Sequence, residues 1–329
     1  MGMLMEGKWS EQRPQAVGGR FVRPDSQFRS VISADGASGF KAEAGRYHLY
    51  VAYNSPWAHR VIIFRKLKGL EDMISMSSAM PNDRAEGWRF GDGFPGSTAD
   101  EVNGVTWLHQ VYSLAKQDYS GLVTVPTLWD IKTRTIVNNE SAEIIRMLNS
   151  AFDGIGAAPG DYYPVQLRDE IDVVNAFVYE NLNNGVYRTG FATSQQAYED
   201  AVGKVFSALD TLEQRLASQR YLVGNTLTEA DWRLFVTLVR FDAAYHHLFK
   251  CTLRPISSFH NLQNYLLDLY QVPGVADTVR LDHIVMGYYS IDRVNPNGII
   301  PLVARLDFTR PHDRSRFGPP APRASQGGG

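Results

Sequence analysis

The stretch Asn54-Ser55-Pro56-Trp57-Ala58-His59-Arg60 holds the residues with the clearest chemistry in this chain. It follows a β-branched and aromatic run, Tyr47-His48-Leu49-Tyr50-Val51-Ala52-Tyr53, and it opens a pattern in which Trp57, Val61, Phe64 and Leu67 recur at helical spacing. Strand, tight turn and helix are therefore expected in that order. Ser55 falls at the N-cap and Pro56 at the first helical position. A helix N-terminus favours an anion by up to about 2 kcal/mol, enough to lower a thiol pKa of about 8.5 by roughly 1.5 units. A charge-assisted hydrogen bond from the serine hydroxyl to a bound thiolate adds to that effect. The plain alternative is a helix start with no chemistry, since Ser-Pro is common there.

Other reactive residue types read as structural. His59, four residues beyond Ser55, could be drawn as a base for the hydroxyl, but a structural histidine is the simpler reading. Cys251 is the only cysteine, so no internal disulfide can form. It lacks the N-cap setting that lowers a thiol pKa, and reads as buried and inert. Adjacent His246 and His247 lack the i, i+4 spacing that puts two ligands on one helical face, so no metal is expected. Leu227-Thr228-Glu229-Ala230-Asp231 pairs an N-cap threonine with an acidic third helical residue, a capping box rather than a ligand site.

The elements that must position these residues fall into two groups. Residues 1–45, rich in Gly, Arg and Ser, have little periodicity and read as an extended N-terminal extension. Over 46–150 the first strand and helix are followed by a short strand at 73–76, a Gly/Asp/Pro-rich insertion at 81–121, strand-like runs at 122–130 and 135–138, and a helix at 140–148. That is a compact α/β layout. Insertions of such length are uncommon unless functional, and Pro126 argues for a sheet edge or a special bond, because proline cannot donate to a ladder. Beyond the loop at 153–164, helical periodicity recurs at 166–184, 195–218, 228–248, 258–271 and 275–284, which makes 165–285 an α-helical domain. Residues 286–329 form a C-terminal extension, with 311–329 expected to be a mobile tail.

Composition excludes several classes. With 44% hydrophobic and 21% charged residues the chain is ordinary for a globular protein, and no apolar run approaches the roughly 20 residues a membrane span requires. A net charge of −2 with interspersed signs gives no footprint for nucleic acid or an anionic membrane. The first residues lack a signal peptide pattern, and a single cysteine suits a reducing compartment, so a cytoplasmic protein is expected.

Several motifs in order carry a resemblance: Ser55-Pro56-Trp57-Ala58-His59-Arg60, Gly87-Trp88, Phe94-Pro95-Gly96, Thr124-Val125-Pro126, Asn139-Glu140-Ser141-Ala142-Glu143, Asn183-Asn184-Gly185-Val186-Tyr187 and Gly190-Phe191-Ala192-Thr193-Ser194. Together they resemble the Xi-class, omega-like glutathione transferases, the glutathionyl-hydroquinone reductases, along nearly the whole chain. The resemblance implies a thioredoxin-like domain followed by a helical one, glutathione as cosubstrate, an aromatic small-molecule substrate and a homodimer. It implies that Trp88 packs against glutathione, that Val125-Pro126 is a cis-proline turn pairing with its cysteinyl part, and that Glu140 and Ser141 receive its γ-glutamyl end, Glu140 taking the ammonium and Ser141 the carboxylate. Tyr187 and Tyr288 match phenols that hold hydroquinone oxygens. One position departs: where the family has a cysteine whose thiolate attacks a glutathionyl sulfur, this chain has Ser55. A serine cannot form a mixed disulfide, so the expected activity is glutathione transfer to quinone- or hydroquinone-type electrophiles, with Ser55 stabilising the thiolate. The alternatives are an altered reductase that binds the conjugate without turnover, and a non-catalytic glutathione-binding protein.

Overall fold

The computed structural model describes residues 2–11, 25–83, 85–302 and 306–320. The chain divides into two compact units, one ending at Pro159 and the other beginning at Gly160. The first unit contains β1 (Met3–Met5), β2 (Lys8–Ser10), β3 (Ile32–Ser33), β4 (Phe40–Lys41), β5 (Tyr47–Val51), α1 (Pro56–Leu67), β6 (Ile74–Ser78), α2 (Leu108–Ala115), β7 (Gly121–Leu122), β8 (Thr127–Asp130), β9 (Thr135–Asn138) and α3 (Ser141–Ser150).

Four of these strands form the main sheet in the order β6-β5-β8-β9, with β5 parallel to β6 and antiparallel to β8, and β8 antiparallel to β9. Every residue of β5 and β8 is buried, as suits central strands covered on both faces. The polar members are paired: His48 lies 2.7 Å from Ser75 Oγ and 3.0 Å from Ser77 Oγ, and Asp130 accepts from Arg46 at 2.7 Å. Register decides where the loops emerge. β8 begins opposite the end of β5, Thr127 against Tyr50, and β9 ends beside the start of β8, Asn138 against Leu128. The loop after β5, the turn before β8 and the loop after β9 therefore leave from one end of the sheet.

Three features of the first unit differ from the sequence pattern. Residues expected to be an aperiodic extension contribute strands, with β1 between β2 and β7. β1 and β2 are only three residues each, too short to show a period, and the pairing that ties β1 to the rest of the unit, with β7, spans more than 100 residues. The turn between β1 and β2 requires Gly7, at φ 76°, where an added Cβ would fall 1.8 Å from the carbonyl oxygen of Gln117. The insertion at 81–121 contains α2, a short helix that buries Leu108, Val111 and Tyr112. The run at 122–130 is not one strand: Gly121–Leu122 pairs with β1, and only Thr127–Asp130 joins the main sheet.

The second unit is helical: α4 (Arg168–Val178), α5 (Gly185–Gly190), α6 (Gln195–Arg215), α7 (Glu229–Arg240), α8 (His260–Tyr270) and α9 (Leu281–Tyr289). Wide π turns at Tyr179–Asn183 and Phe241–Tyr245 extend α4 and α7. Each widened turn rotates the following face, which periodicity reads as one unbroken helix. The capping box forms as its residues predict, Asp231 accepting from the Thr228 N–H at 2.8 Å and also from Leu222 N–H and the Tyr265 hydroxyl.

Of the expected tail, residues 321–329 lie outside the described residues, and 311–320 are mostly exposed or half-buried around one anchored side chain. Arg314 is fully buried and donates to the carbonyls of Leu216 and Arg220, each at 2.8 Å, and of Gln219. These are carbonyls at and beyond the end of α6 that the helix leaves unsatisfied. A Pro- and Gly-rich composition conceals the one side chain that satisfies them.

Candidate functional site

Ser55 adopts extended backbone (φ −78°, ψ 122°) and caps α1, its Oγ accepting the Ala58 N–H at 3.3 Å, with Pro56 opening the helix. It is 7% exposed. The first turn of α1 carries no acidic side chain, so nothing within the helix offsets the positive end of its dipole. His59 is fully buried in the same helix. Arg60, also buried, stacks over Trp57 with 4.6 Å to the ring centroid and donates to Ser141 Oγ at 3.4 Å, which ties the start of α3 to α1.

Val125 and Pro126 precede β8 at the same end of the sheet, and the peptide between them is cis. No hydrogen bond joins the main chain of Val125 to any described residue. An extended peptide can therefore pair there as an added strand. Across from it, Glu140 caps α3: one carboxylate oxygen accepts the Ala142 N–H at 3.1 Å, while its own N–H donates to Asn138 Oδ1 at 2.7 Å. Ser141, the first residue of α3, is buried, and its main-chain N–H has no partner among the described residues. A carboxylate suits that N–H and the helix dipole behind it.

Trp88 is 8% exposed, in the insertion that leaves β6 from this same sheet end. Its carbonyl accepts the Leu108 N–H at 2.9 Å, and the adjoining Met80 and Arg89 are joined through N–H and carbonyl at 2.8 Å. Asp100 anchors the base of the insertion, accepting from the Tyr50 hydroxyl and the Val102 N–H, each at 3.0 Å.

In the second unit the phenols of Tyr187, on α5, and Tyr288, on α9, meet at 2.6 Å. Tyr245, at the end of the π turn after α7, joins them, its hydroxyl 2.8 Å from that of Tyr288. The Phe249 ring packs against all three, with centroids 5.4, 5.4 and 5.6 Å away. Gly190 permits this, because a Cβ there would fall 2.3 Å from the Phe249 ring. Burial, reinforced by the neighbouring phenols, pushes Tyr245 and Tyr288 well above the ordinary tyrosine range, so both remain protonated donors near neutral pH.

Two family models match this geometry's sequence: a glutathione S-transferase N-terminal domain over residues 54–151 and a glutathione S-transferase C-terminal domain over residues 195–267. The chain is 52% identical over 328 residues to the glutathionyl-hydroquinone reductase YqjG of Escherichia coli K12, which covers 97% of this chain and 100% of that one. This chain belongs to the glutathione S-transferase family. It is also 52% identical over 307 residues to the glutathionyl-hydroquinone reductase PcpF of Sphingobium chlorophenolicum, covering 92% of this chain and 96% of its relative. The glutathione-bound structure of YqjG superposes with a TM-score of 0.90 at 50% identity, covering 96% of this transferase and 100% of that chain. A Xi-class transferase from Natrialba magadii superposes at 0.91 with 46% identity, covering 96% and 97%. The fold of this transferase is accordingly thioredoxin-like in the first unit and of the helical transferase type in the second.

Within the first unit, the register gathers Ser55, Val125, Pro126, Glu140, Ser141 and the root of the Trp88 insertion at one sheet end. In the second, Tyr187 and Tyr288 are brought together from positions 101 residues apart. Sequence reasoning missed Tyr245, because nothing in Phe241-Asp242-Ala243-Ala244-Tyr245 marks it and the π turn that orients it has no signature. Cys251 is buried, and burial pushes its thiol up to about 12, which makes it inert. Among the described residues no cluster of three His, Cys, Asp or Glu could hold a metal ion, and no helix is long and apolar enough to cross a membrane.

Proposed function

We propose that this transferase acts on quinone- or hydroquinone-type aromatic electrophiles, with the Ser55 hydroxyl stabilising the glutathione thiolate. The observation that carries the reading is the set of groups at one sheet end: the capped, acid-free start of α1, the unpaired main chain of Val125 and the unpaired N–H of Ser141. Glutathione fits them in order. Its sulfur sits at Ser55, its cysteinyl peptide pairs with Val125 ahead of Pro126, its γ-glutamyl carboxylate takes the Ser141 N–H, its ammonium takes Glu140, and Trp88 packs on it. The thiolate adds to a ring carbon of a quinone, the displaced electron pair moves onto a ring oxygen that is protonated, and transfer of the ring proton to the second ring oxygen yields the hydroquinone conjugate. Tyr187 and Tyr288 donate to the ring oxygens, which is where negative charge develops. A cytoplasmic homodimer is the expected form, the dimer from family resemblance and the compartment from the single buried thiol.

The names of YqjG and PcpF favour a second reading, in which the protein binds a glutathionyl-hydroquinone and Ser55 stands in for a nucleophilic cysteine. One experiment separates them. Wild-type, Ser55→Ala and Ser55→Cys proteins are assayed for glutathione consumption with a quinone above the spontaneous rate, and for hydroquinone release from glutathionyl-menadiol. Conjugation by the wild type that falls about tenfold in Ser55→Ala supports the transferase. A wild type with no conjugation, beside strong release by Ser55→Cys, overturns it.

A further inference from the structure

Residues 26–30 pair along the end of β9 and the start of α3. The Ser30 N–H donates to the Val137 carbonyl at 3.0 Å, the Asn139 N–H to the Phe28 carbonyl at 3.1 Å, and the Phe28 N–H to Asn139 Oδ1 at 3.2 Å. Arg29 grips Glu143 through Nε at 2.7 Å and a second guanidinium nitrogen, and the same arginine helps hold Glu143 below the ordinary carboxylate range against the upward push of burial. With residues 28–30 fixed on its C-terminal side, Ser26 lies where its Oγ is 3.2 Å from Glu140 Oε2 and 3.3 Å from the Asn139 carbonyl.

Glu140 has two oxygens with different work. Oε1 accepts the Ala142 N–H and caps α3. For Oε2, the Ser26 hydroxyl is the one donor among the described residues. A carboxylate held through one oxygen can still turn about its last torsion, because that terminal torsion is soft. A second hydrogen bond, from a segment whose residues 28–30 are held on β9 and α3, removes that freedom. It also leaves Oε2 with a lone pair to spare, since each carboxylate oxygen accepts twice.

We propose that Ser26 is a positioning residue for glutathione: it orients the Glu140 carboxylate so that Oε2 receives the α-ammonium of the γ-glutamyl group. This rests on the assignment of Glu140 made above. The competing role is a staple that only fastens residues 26–30 to the unit.

The test is calorimetric titration of the full-length protein with reduced glutathione and with its desamino analogue, which lacks the α-ammonium, on wild-type, Ser26→Ala, Ser26→Thr and Glu140→Ala proteins whose melting curves are recorded in parallel. Ser26→Ala is expected to weaken glutathione about fivefold, the loss of one hydrogen bond worth about 1 kcal/mol, and to leave the desamino analogue unchanged. Ser26→Thr should restore wild-type binding, and if the alanine variant melts early, Ser26→Gly removes the hydroxyl in its place. Equal weakening of both ligands, or no weakening of glutathione, overturns the proposal while leaving Glu140 in its role. Wild-type uptake that Glu140→Ala does not alter overturns the assignment of Glu140 itself, and with it this proposal.

Discussion

At the sheet end of the first unit, the proposed glutathione contacts lean on main-chain groups, the start of α1, the Val125 peptide and the Ser141 N–H, with the side chains of Ser55, Glu140 and Trp88 beside them. In the second unit three phenols meet from α5, α9 and the π turn after α7, and everything there depends on side-chain atoms. The two constructions fail differently. Main-chain groups are placed by the register of four strands and tolerate many side-chain changes. A cluster of buried hydroxyls has no such backing, because deleting one oxygen leaves its partners unsatisfied in a low-dielectric interior.

The strongest test of this contrast is Tyr288→Phe, which removes the hydroxyl that both other phenols contact. Turnover of a quinone substrate is expected to fall about 100-fold, as for loss of a donor to a developing oxyanion. The glutathione dissociation constant should stay within about twofold. Unchanged turnover would reduce the cluster to a packing device.

Acid should also separate the two units, with an intermediate effect. Burial pushes His48, in β5, down to about 4 from an ordinary 6.5. Its folded pKa is depressed, so the stability it permits is complete above pH 6.5 and is lost as pH falls toward 4. Asp231, in the second unit, is pushed up by burial to about 6 against hydrogen bonds that pull it down, so its contribution runs the other way and is lost as pH rises through 6. Denaturant unfolding of His48→Gln should therefore lose about 1 kcal/mol less than wild type on going from neutral pH to about pH 5.5. Identical pH profiles for the two proteins would remove His48 from the account.

The smallest effect is expected at Val125→Ala. If its N–H and C=O do the binding, glutathione affinity should change less than about twofold, whereas a tenfold loss would mean that the side chain matters as well.

This same contrast governs what could be read in advance. The turn at Ser55-Pro56 was legible because an N-cap and a first-turn proline are neighbours in sequence. So was the helix start at Glu140-Ser141, and for the same reason. Pro126 announced an irregularity by its missing N–H alone. The pairing of β1 with β7 was not legible, nor was the anchoring of Ser26 on Glu140, since in each the partner lies more than 100 residues distant, and the three-residue strands at 3–10 are too short to show a period. The short helix in the insertion escaped notice because its N-cap, Trp107, is not a residue type that marks helix starts. Arg314 offered no signal within a tail rich in proline and glycine.

The sequence by itself determined the α/β order of the first half, the helical order of the second and the identities of the groups at the start of α1 and α3, because caps, turns and periodicity act between residues a few positions apart. Tertiary structure alone decided that Tyr245 joins Tyr187 and Tyr288, that Ser26 holds Glu140, and that one end of a sheet collects the rest. Those placements depend on strand register and on how far a widened helical turn rotates a face, and neither quantity is written in local composition.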